Sequence, residues 1–504
     1  MSQWLFRRLS CPSGLLLLLA AYFLLHWLLR ITAGGGFELD EAEQLLFGQR
    51  LQPGYSADPP LYTWLQIPLL RLFGEGAAAL GLLKNLLLFL TYVCSYFIGR
   101  QAGLSVERAG LAALSLLLLP QIGWESQRDL THSVLVTTLS AASLWALLAL
   151  LNGRQGPGQY ALLGLLFGLG LLSKYNFAIF ILIMTITLAS LQPRLVWRPA
   201  SLLTLLTCAL TLSPFLLWLL DNAALAGSDA QRLETGFSGY WEGVSSGLLS
   251  LALSYAAFCA LFLLALLVSF RPWREPIFKT PEESRPMALR FLLRMLWITP
   301  LILILILLLI GGVAYRDRYL LPVLFHIPVV AFLMLPEKTF VRGLVGYRRW
   351  LLAAMILIPL GLFARAHLVP LTGKPMKQTY PGQALARILI RDAGAPAFVI
   401  ANRSFIGGNL KPHMGSAFVG SAQAQFPLRK MLEGRSQPIL LVWEPHPSGR
   451  EFEKVQTYLR QQLGPGVSAL SSIGKAAAHH RNADGPVEVL EWQLWGEAAP
   501  TRPE

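Results

Sequence analysis

Charge and cysteine are what this 504-residue chain has least of. Only 14% of its residues are Asp, Glu, Lys or Arg, and four are cysteine. Cys94, Cys208 and Cys259 fall inside apolar runs and read as small core residues, so no disulfide framework exists. Cys11 has no apolar region before it and is not a lipoprotein site. Acidic residues are scarcer than basic ones, 28 against 42. The net charge of +14 would suit nucleic acid if it formed one basic face, but Lys and Arg sit in short clusters between apolar runs. Nucleic acid is therefore excluded as a partner. The apolar runs do not alternate, which excludes a strand-built barrel. No repeat of fixed period is present.

What remains is apolar. Hydrophobic residues make up 54% of the chain and mean hydropathy is +0.51, too apolar for a soluble protein of this length. Eleven runs read as candidate spans, at about 15–31, 77–98, 109–122, 132–151, 160–173, 176–191, 201–220, 248–270, 295–313, 319–335 and 350–366. The third, fifth and sixth are shorter than the roughly 20 residues a straight span needs, so they tilt or are sheltered by protein. The fold class is thus an all-α polytopic membrane protein with about 11 or more transmembrane helices.

Orientation follows from the basic residues. With a cytoplasmic N-terminus the inner loops hold Arg7, Arg8, Arg100, Arg108, Arg154, Arg194, Arg198, Arg271, Arg274, Lys279, Arg285, Arg290, Arg294, Lys338, Arg342, Arg348 and Arg349. Far fewer lie outside, and positive charge in short loops resists translocation. A cleaved signal peptide is the alternative for the first run and leaves the later topology unchanged. From about Thr372 polar residues, Gly and Pro mix with short β-like runs at 397–402 and 438–443. These mark a small C-terminal α/β soluble domain, 372–504, outside the cytoplasm, after a transmembrane domain of 1–371.

Ionisable residues at a membrane rim are costly and therefore candidate functional residues. After the first span comes FELDEAEQLLFGQRLQPGYSADPPLYTWLQ, with Asp40 and Glu41 opening a stretch of helical spacing. Ala42, Leu45 and Leu46 suit the interface, and Pro59 and Pro60 stop the helix. The next outer loop, QIGWESQRDLTHSV, holds Asp129 and His132 three apart on one helix face, where Asp129 also serves as a cap. Lys174 and Tyr175 end the fifth span, and Arg316, Asp317, Arg318 and Tyr319 stand between the ninth and tenth. Cations on the outer side break the inner-positive bias, and a lipid phosphate would hold them through a guanidinium fork, an ammonium and a phenol. Lys84 is a further candidate.

LDEAEQ with PPLYTWLQ, then RDLTHSVLVTTLSAASLW, GLGLLSKY and DRYLLPVL, in this order, resemble the polyprenyl-phosphate-sugar glycosyltransferases. The type is that of the protein mannosyltransferases (glycosyltransferase family 39) and the lipid A aminoarabinose transferases. These belong to the membrane-embedded GT-C superfamily, and the resemblance covers roughly residues 30–335. It implies a GT-C fold with a lipid-phosphate-linked sugar as donor and a glycolipid or protein as acceptor, at the outer face of a bacterial inner membrane. It implies an inverting transferase. By the same resemblance Asp40 is the catalytic carboxylate, Glu41 its partner and Asp129 the second acidic residue. Lys174, Tyr175, Arg318, Tyr319 and Lys84 are then donor-phosphate ligands. A divalent metal ion on His132, His367 or His413 is left open. A protein O-glycosyltransferase and a lipid-linked sugar flippase are the alternatives, although a flippase would place its charges nearer the midplane in a repeated architecture.

Overall fold

The computed structural model describes residues 11–55, 58–222, 239–271, 285–424, 426, 428–432, 438–480 and 487–497. Arg7, Arg8, Arg274 and Lys279 lie outside the described residues. The architecture is mostly helical with a small sheet near the C-terminus. Each of the eleven apolar runs falls largely within a helix or a bent pair of helices. Among the described residues seven helices are long and apolar enough to cross a membrane: α1 (Pro12–Thr32), Ala77–Gln101, Thr131–Leu151, Ser201–Asp221, Tyr240–Phe270, Met287–Ile310 and Glu337–His367. The count is nine if two bent pairs, broken by 74° near 118–121 and by 53° near 324–327, are single spans. Pro157–Leu171 and Phe177–Leu191 are apolar but shorter. Helices suit these runs because each backbone amide is then bonded within its own segment, where water cannot serve it.

The described parts of Met1–His26, Ala57–Tyr62 and Lys84–Pro359 gather into one compact unit, and those of Trp27–Ser56, Thr63–Leu83 and Leu360–Glu504 into another. The first is the helical body. Its helices pack closely where side chains are small: a Cβ on Gly168 would lie 2.6 Å from the Cβ of Thr211, and Thr204 donates to the Tyr160 carbonyl at 2.9 Å. Without a hydrophobic drive between helices in lipid, such close approach and side-chain hydrogen bonding hold neighbours together.

The second unit is built on a six-stranded sheet of order β2-β1-β3-β6-β4, with β5 also on β6. β1 (Phe398–Ala401), β2 (Phe418–Ser421) and β3 (Ile439–Trp443) are parallel, and β6 (Val487–Glu497) runs antiparallel to β3 and to both β4 (Val467–Ala469) and β5 (Gly474–His479). β1 and β3 are buried along their whole length, as continuous apolar runs in a parallel sheet should be. The unit also takes in the acidic segment near the N-terminus. Leu46, Phe47 and Tyr55 join the sheet's core.

The helix in that segment, α2, is Leu39–Phe47. Ala42, Leu45 and Leu46 are at most 1% exposed. They are buried by protein, where the sequence suggested the membrane interface. Ala42 and Leu45 pack with Phe37, Leu70, Ala79 and Leu80. The helix ends at Gly48, well before Pro59 and Pro60, which instead lead into α3 (Leu61–Phe73). A fixed proline φ is pre-set for a helix start.

α2 is fastened to the C-terminal sequence by backbone-directed contacts. Asn409, on the helix Ser404–Leu410, accepts from Phe37 N–H at 2.9 Å and donates to the Phe37 carbonyl at 3.4 Å. Gln49 donates to the Val419 carbonyl at 2.7 Å and accepts from Val419 N–H at 3.1 Å, covering the edge strand β2. Gly408 lies against Ala42 so closely that a Cβ would fall 2.7 Å from its Cα. Gly408→Val should therefore cost about 1–3 kcal/mol through overpacking, seen as a lower apparent Tm of the purified protein. An unchanged Tm would rule out this packing. Asn409→Ala, which strands a buried N–H, should cost a similar amount, on the order of 1–3 kcal/mol.

Candidate active site

The sequence FELDEAEQ builds its own N-terminal cap. Glu38 is the N-cap of α2, and the capping box is completed by Glu41, whose carboxylate accepts from Glu38 N–H at 3.3 Å. Negative charge in this first turn also suits the positive end of the helix dipole. Both carboxylates are buried, at 4% and 1% exposure, and a buried charge needs a partner. Arg30, in the last turn of α1, supplies one. It donates from Nε to Glu41 Oε1 at 2.9 Å and from Nη2 to Oε2 at 2.6 Å, a two-pronged pair. Arg365 donates to Glu38 at 2.9 Å, and Lys377 stands 3.8 Å from its other oxygen. Asp40 lies between these two in sequence but is only half-buried. Of the three carboxylates on this turn, it is the one most accessible to a substrate.

Glu38, Arg30, Arg365 and Lys377 were not among the residues the sequence pointed to. The spacing Glu38-x-x-Glu41 before an apolar run was a usable signal for the cap. The cations were not, since Arg365 and Lys377 lie more than 320 residues away in sequence.

The remaining candidates lie in the helical body. Asp129 caps the C-terminal end of a short helical turn, Ser126–Arg128, and Leu130 follows in the left-handed region at φ 69°. Helix Thr131–Leu151 begins only after it, with Leu130 in the N-cap position. Asp129 therefore lies outside that helix and shares no face of it with His132, contrary to the sequence reading. A left-handed leucine is unfavourable by about 1–2 kcal/mol and persists only where its surroundings fix it. Arg128 pairs with Glu125 at 2.7 Å, and Gln127 donates to Asn85 at 3.2 Å. Lys84, beside Asn85, is buried at 3% exposure.

Lys174 stands in the turn between Pro157–Leu171 and Phe177–Leu191. It donates to Ser133 Oγ at 2.9 Å, while His132 Nδ1 lies 3.3 Å from the Ser173 carbonyl and its ring 5.6 Å from that of Tyr62. Leu61 N–H donates to the Leu172 carbonyl at 3.1 Å. The segment after the double proline, the turn at 172–174 and the start of Thr131–Leu151 thus form one cluster containing Lys174 and His132. Tyr175 is 37% exposed, 6.4 Å from Phe215 between ring centres.

Arg318 and Tyr319 form a second cluster, on the 3-10 turn Asp317–Leu320. Asp317 accepts from Arg318 N–H at 2.8 Å and from Gln121 Nε2 at 2.7 Å, joining the two bent helix pairs. The Arg318 guanidinium stands 5.7 Å from the Tyr319 ring centre, and both side chains are half-buried. His132 is in the helical body, whereas His367 and His413 belong to the sheet-bearing unit. Among the described residues no three His, Cys, Asp or Glu side chains gather to hold a metal ion.

The sequence profile of the dolichyl-phosphate-mannose-protein mannosyltransferase family matches residues 57–218. The chain is 32% identical to the lipopolysaccharide core galacturonosyltransferase RgtB of Rhizobium johnstonii over 94% of its length and 96% of that protein's. The chain belongs to the GT-C glycosyltransferases. RgtA of the same organism, also a lipopolysaccharide core galacturonosyltransferase, is 33% identical over 85% of this chain and 86% of its own. The fold is that of ArnT from Cupriavidus metallidurans, with a TM-score of 0.57 at 14% identity over 96% of this chain and 98% of that one. The ArnT structure bound to undecaprenyl phosphate gives the same TM-score at 13% identity. As a GT-C transferase the chain is a multi-pass membrane enzyme.

Proposed function

We propose that this GT-C transferase moves a hexuronic acid from a polyprenyl-phosphate donor to a sugar hydroxyl of a lipopolysaccharide-type glycolipid at the outer face of the inner membrane. The observation that carries the proposal is the carboxylate arrangement on α2. Two buried glutamates are tied to arginines, and the aspartate between them is left half-buried. Asp40 then takes the proton of the acceptor hydroxyl as that oxygen bonds to the anomeric carbon. In the same displacement the bond from that carbon to the donor phosphate breaks, the polyprenyl phosphate leaves with the electron pair, and the anomeric centre inverts.

Developing phosphate charge calls for cations and hydroxyl donors in a site that excludes water. Lys174, Arg318 and Tyr319 are assigned that role, with Tyr175 and Lys84 as supports. Glu41 positions α2 through Arg30. Asp129, the second acidic residue of the family pattern, orients the acceptor. The division into a catalytic part, 1–371, and a soluble part, 372–504, is retained as a proposal with one refinement: the soluble part carries the seat of α2. The uronic acid and the lipopolysaccharide acceptor rest on the two galacturonosyltransferase relatives, which match nearly the whole chain. The mannosyltransferase profile supports a protein acceptor as the second reading, but it matches residues 57–218 only.

Mass spectrometry of envelope glycolipids from cells lacking the chain, complemented with wild type or Asp40→Asn, tests the proposal. A hexuronic-acid increment on core or lipid A sugars, restored by wild type alone, is the expected result. An increment on glycoproteins instead would replace the glycolipid acceptor with a protein.

A further inference from the structure

Two of the buried strands run straight into polar residues. FVIANR carries β1 into Asn402 and Arg403, and ILLVWE carries β3 into Glu444. These strands are neighbours whose connections part. From β1 the chain passes through Ser404–Leu410 to β2 on one side, and from β3 through Arg450–Leu463 to β4 on the other. Such a switch point leaves a crevice outside the carboxyl ends of the two strands, and open α/β sheets hold their ligands there. Arg403 donates to Glu444 at 3.0 Å, and Asn402 Nδ2 donates to Glu451, in the first turn of Arg450–Leu463, at 2.9 Å. We propose that this crevice binds a neutral sugar residue of the acceptor's glycan, a subsite that rests on the glycolipid acceptor proposed above.

Two groups in the crevice lack a partner that a sugar would supply. Asn402 is 2% exposed, and its Oδ1 is buried without a hydrogen bond. Tyr380 is 6% exposed, and its hydroxyl is buried without one too. The Tyr380 ring stands 5.0 Å from that of Phe405, on the helix leaving β1. Burial, and then the carboxylates of Glu488 and Glu444, hold this phenol well above its ordinary range, so it remains a neutral donor beside the end of β3. An unpaired buried polar atom is destabilising, and two at one switch point are explained by a ligand that satisfies both. Arg403 and Glu444, with side chains 54% and 30% exposed, leave the rim open to solvent.

The donor and acceptor set selects the ligand. A sugar hydroxyl donates and accepts at once. Here an amide oxygen and a carboxylate accept, a guanidinium donates and a phenol does both. A phosphate fits worse, because Glu451 and Glu453 occupy the first turn of Arg450–Leu463, where their charge opposes an anion. A cation fits worse as well, because Glu444 is already paired with Arg403, and Glu451 with Lys454 at 2.6 Å.

Titration of the purified full-length chain with core oligosaccharide, released from cells that lack the chain, tests the subsite. Wild type should bind it. Tyr380→Phe keeps the ring and removes only a hydroxyl that has no partner, so it should weaken binding about fivefold without lowering the apparent Tm. The KM for the glycolipid acceptor should rise by a similar factor while kcat holds. Asn402→Ala should weaken binding likewise, and Asp40→Asn should bind as wild type does. An affinity and a KM unmoved in both Tyr380→Phe and Asn402→Ala would overturn the subsite and leave the proposed reaction standing. Binding that both variants weaken, in a chain that transfers no sugar to glycolipid, would remove the reaction and leave the glycan site. No binding by wild type, or a stronger response to Mg²⁺, inorganic phosphate or a Ser/Thr-rich peptide than to the oligosaccharide, would overturn the proposal.

Discussion

Asp40→Asn should reduce sugar transfer by at least about 10²-fold while the protein accumulates in the membrane as wild type does. The substitution keeps shape and removes the one property assigned to Asp40, an anionic oxygen able to take the acceptor proton. General-base catalysis contributes about 10²–10⁴-fold, so the lower bound corresponds to a barrier increase of roughly 2.7 kcal/mol. Because Asp40 is only half-buried, stability should be little affected. The loss should fall on turnover more than on KM, since the acceptor is still bound. The size of the effect also reports on the acceptor. A sugar hydroxyl must be deprotonated, whereas a phosphate acceptor is already ionised and would show a much smaller loss. Asp40→Asn transferring at the wild-type rate to a hydroxyl acceptor would remove Asp40 from the chemistry. Poor accumulation would make it structural.

How far the sequence reaches differs between the two units. In the helical body, long apolar runs must satisfy their backbone internally, so each run leads to a helix and composition alone places it. Short-range breaks are less visible. Nothing in RDLTHS marks Leu130 as left-handed, because the residue that normally signals that conformation is glycine. The inferred shared face of Asp129 and His132 failed for that reason. In the sheet-bearing unit the runs at 397–402 and 438–443 announced β1 and β3, whose full burial makes them continuously apolar. β2 (FVGS) and β5 (GKAAAH) carry glycine and few β-branched residues, so they have no strong pattern of their own. The setting of the candidate base was the least visible part. Asp40 stood out as an acid in a membrane protein, but Asn409, Gln49 and Gly408 act on or from α2 through contacts about 370 residues apart in sequence. No local periodicity carries such a contact.

The ion pair beneath Asp40 should be as important to the fold as Asp40 is to the chemistry. Arg30→Ala would leave Glu41, 1% exposed, as a buried charge without the two-pronged donor it now has. Breaking a buried pair from one side costs about 3–5 kcal/mol, because the remaining charge keeps its desolvation penalty and loses its compensation. Glu41→Ala should cost a comparable amount and remove one arm of the capping box as well. Replacing both, as Arg30→Met with Glu41→Leu, removes both desolvation penalties and should recover much of the lost stability. The apparent Tm of the four purified forms measures the loss and its recovery. Recovery should not extend to activity. With the pair gone, α2 loses one of the contacts that fix its first turn, and a carboxylate misplaced by about 1 Å can cost 10²-fold in rate. A double variant that is stable and slow separates positioning from stability. If Arg30→Ala were as stable and as active as wild type, the pair would play neither part and α2 would be held by its other contacts, those of Glu38, Ala42 and Leu45 among them.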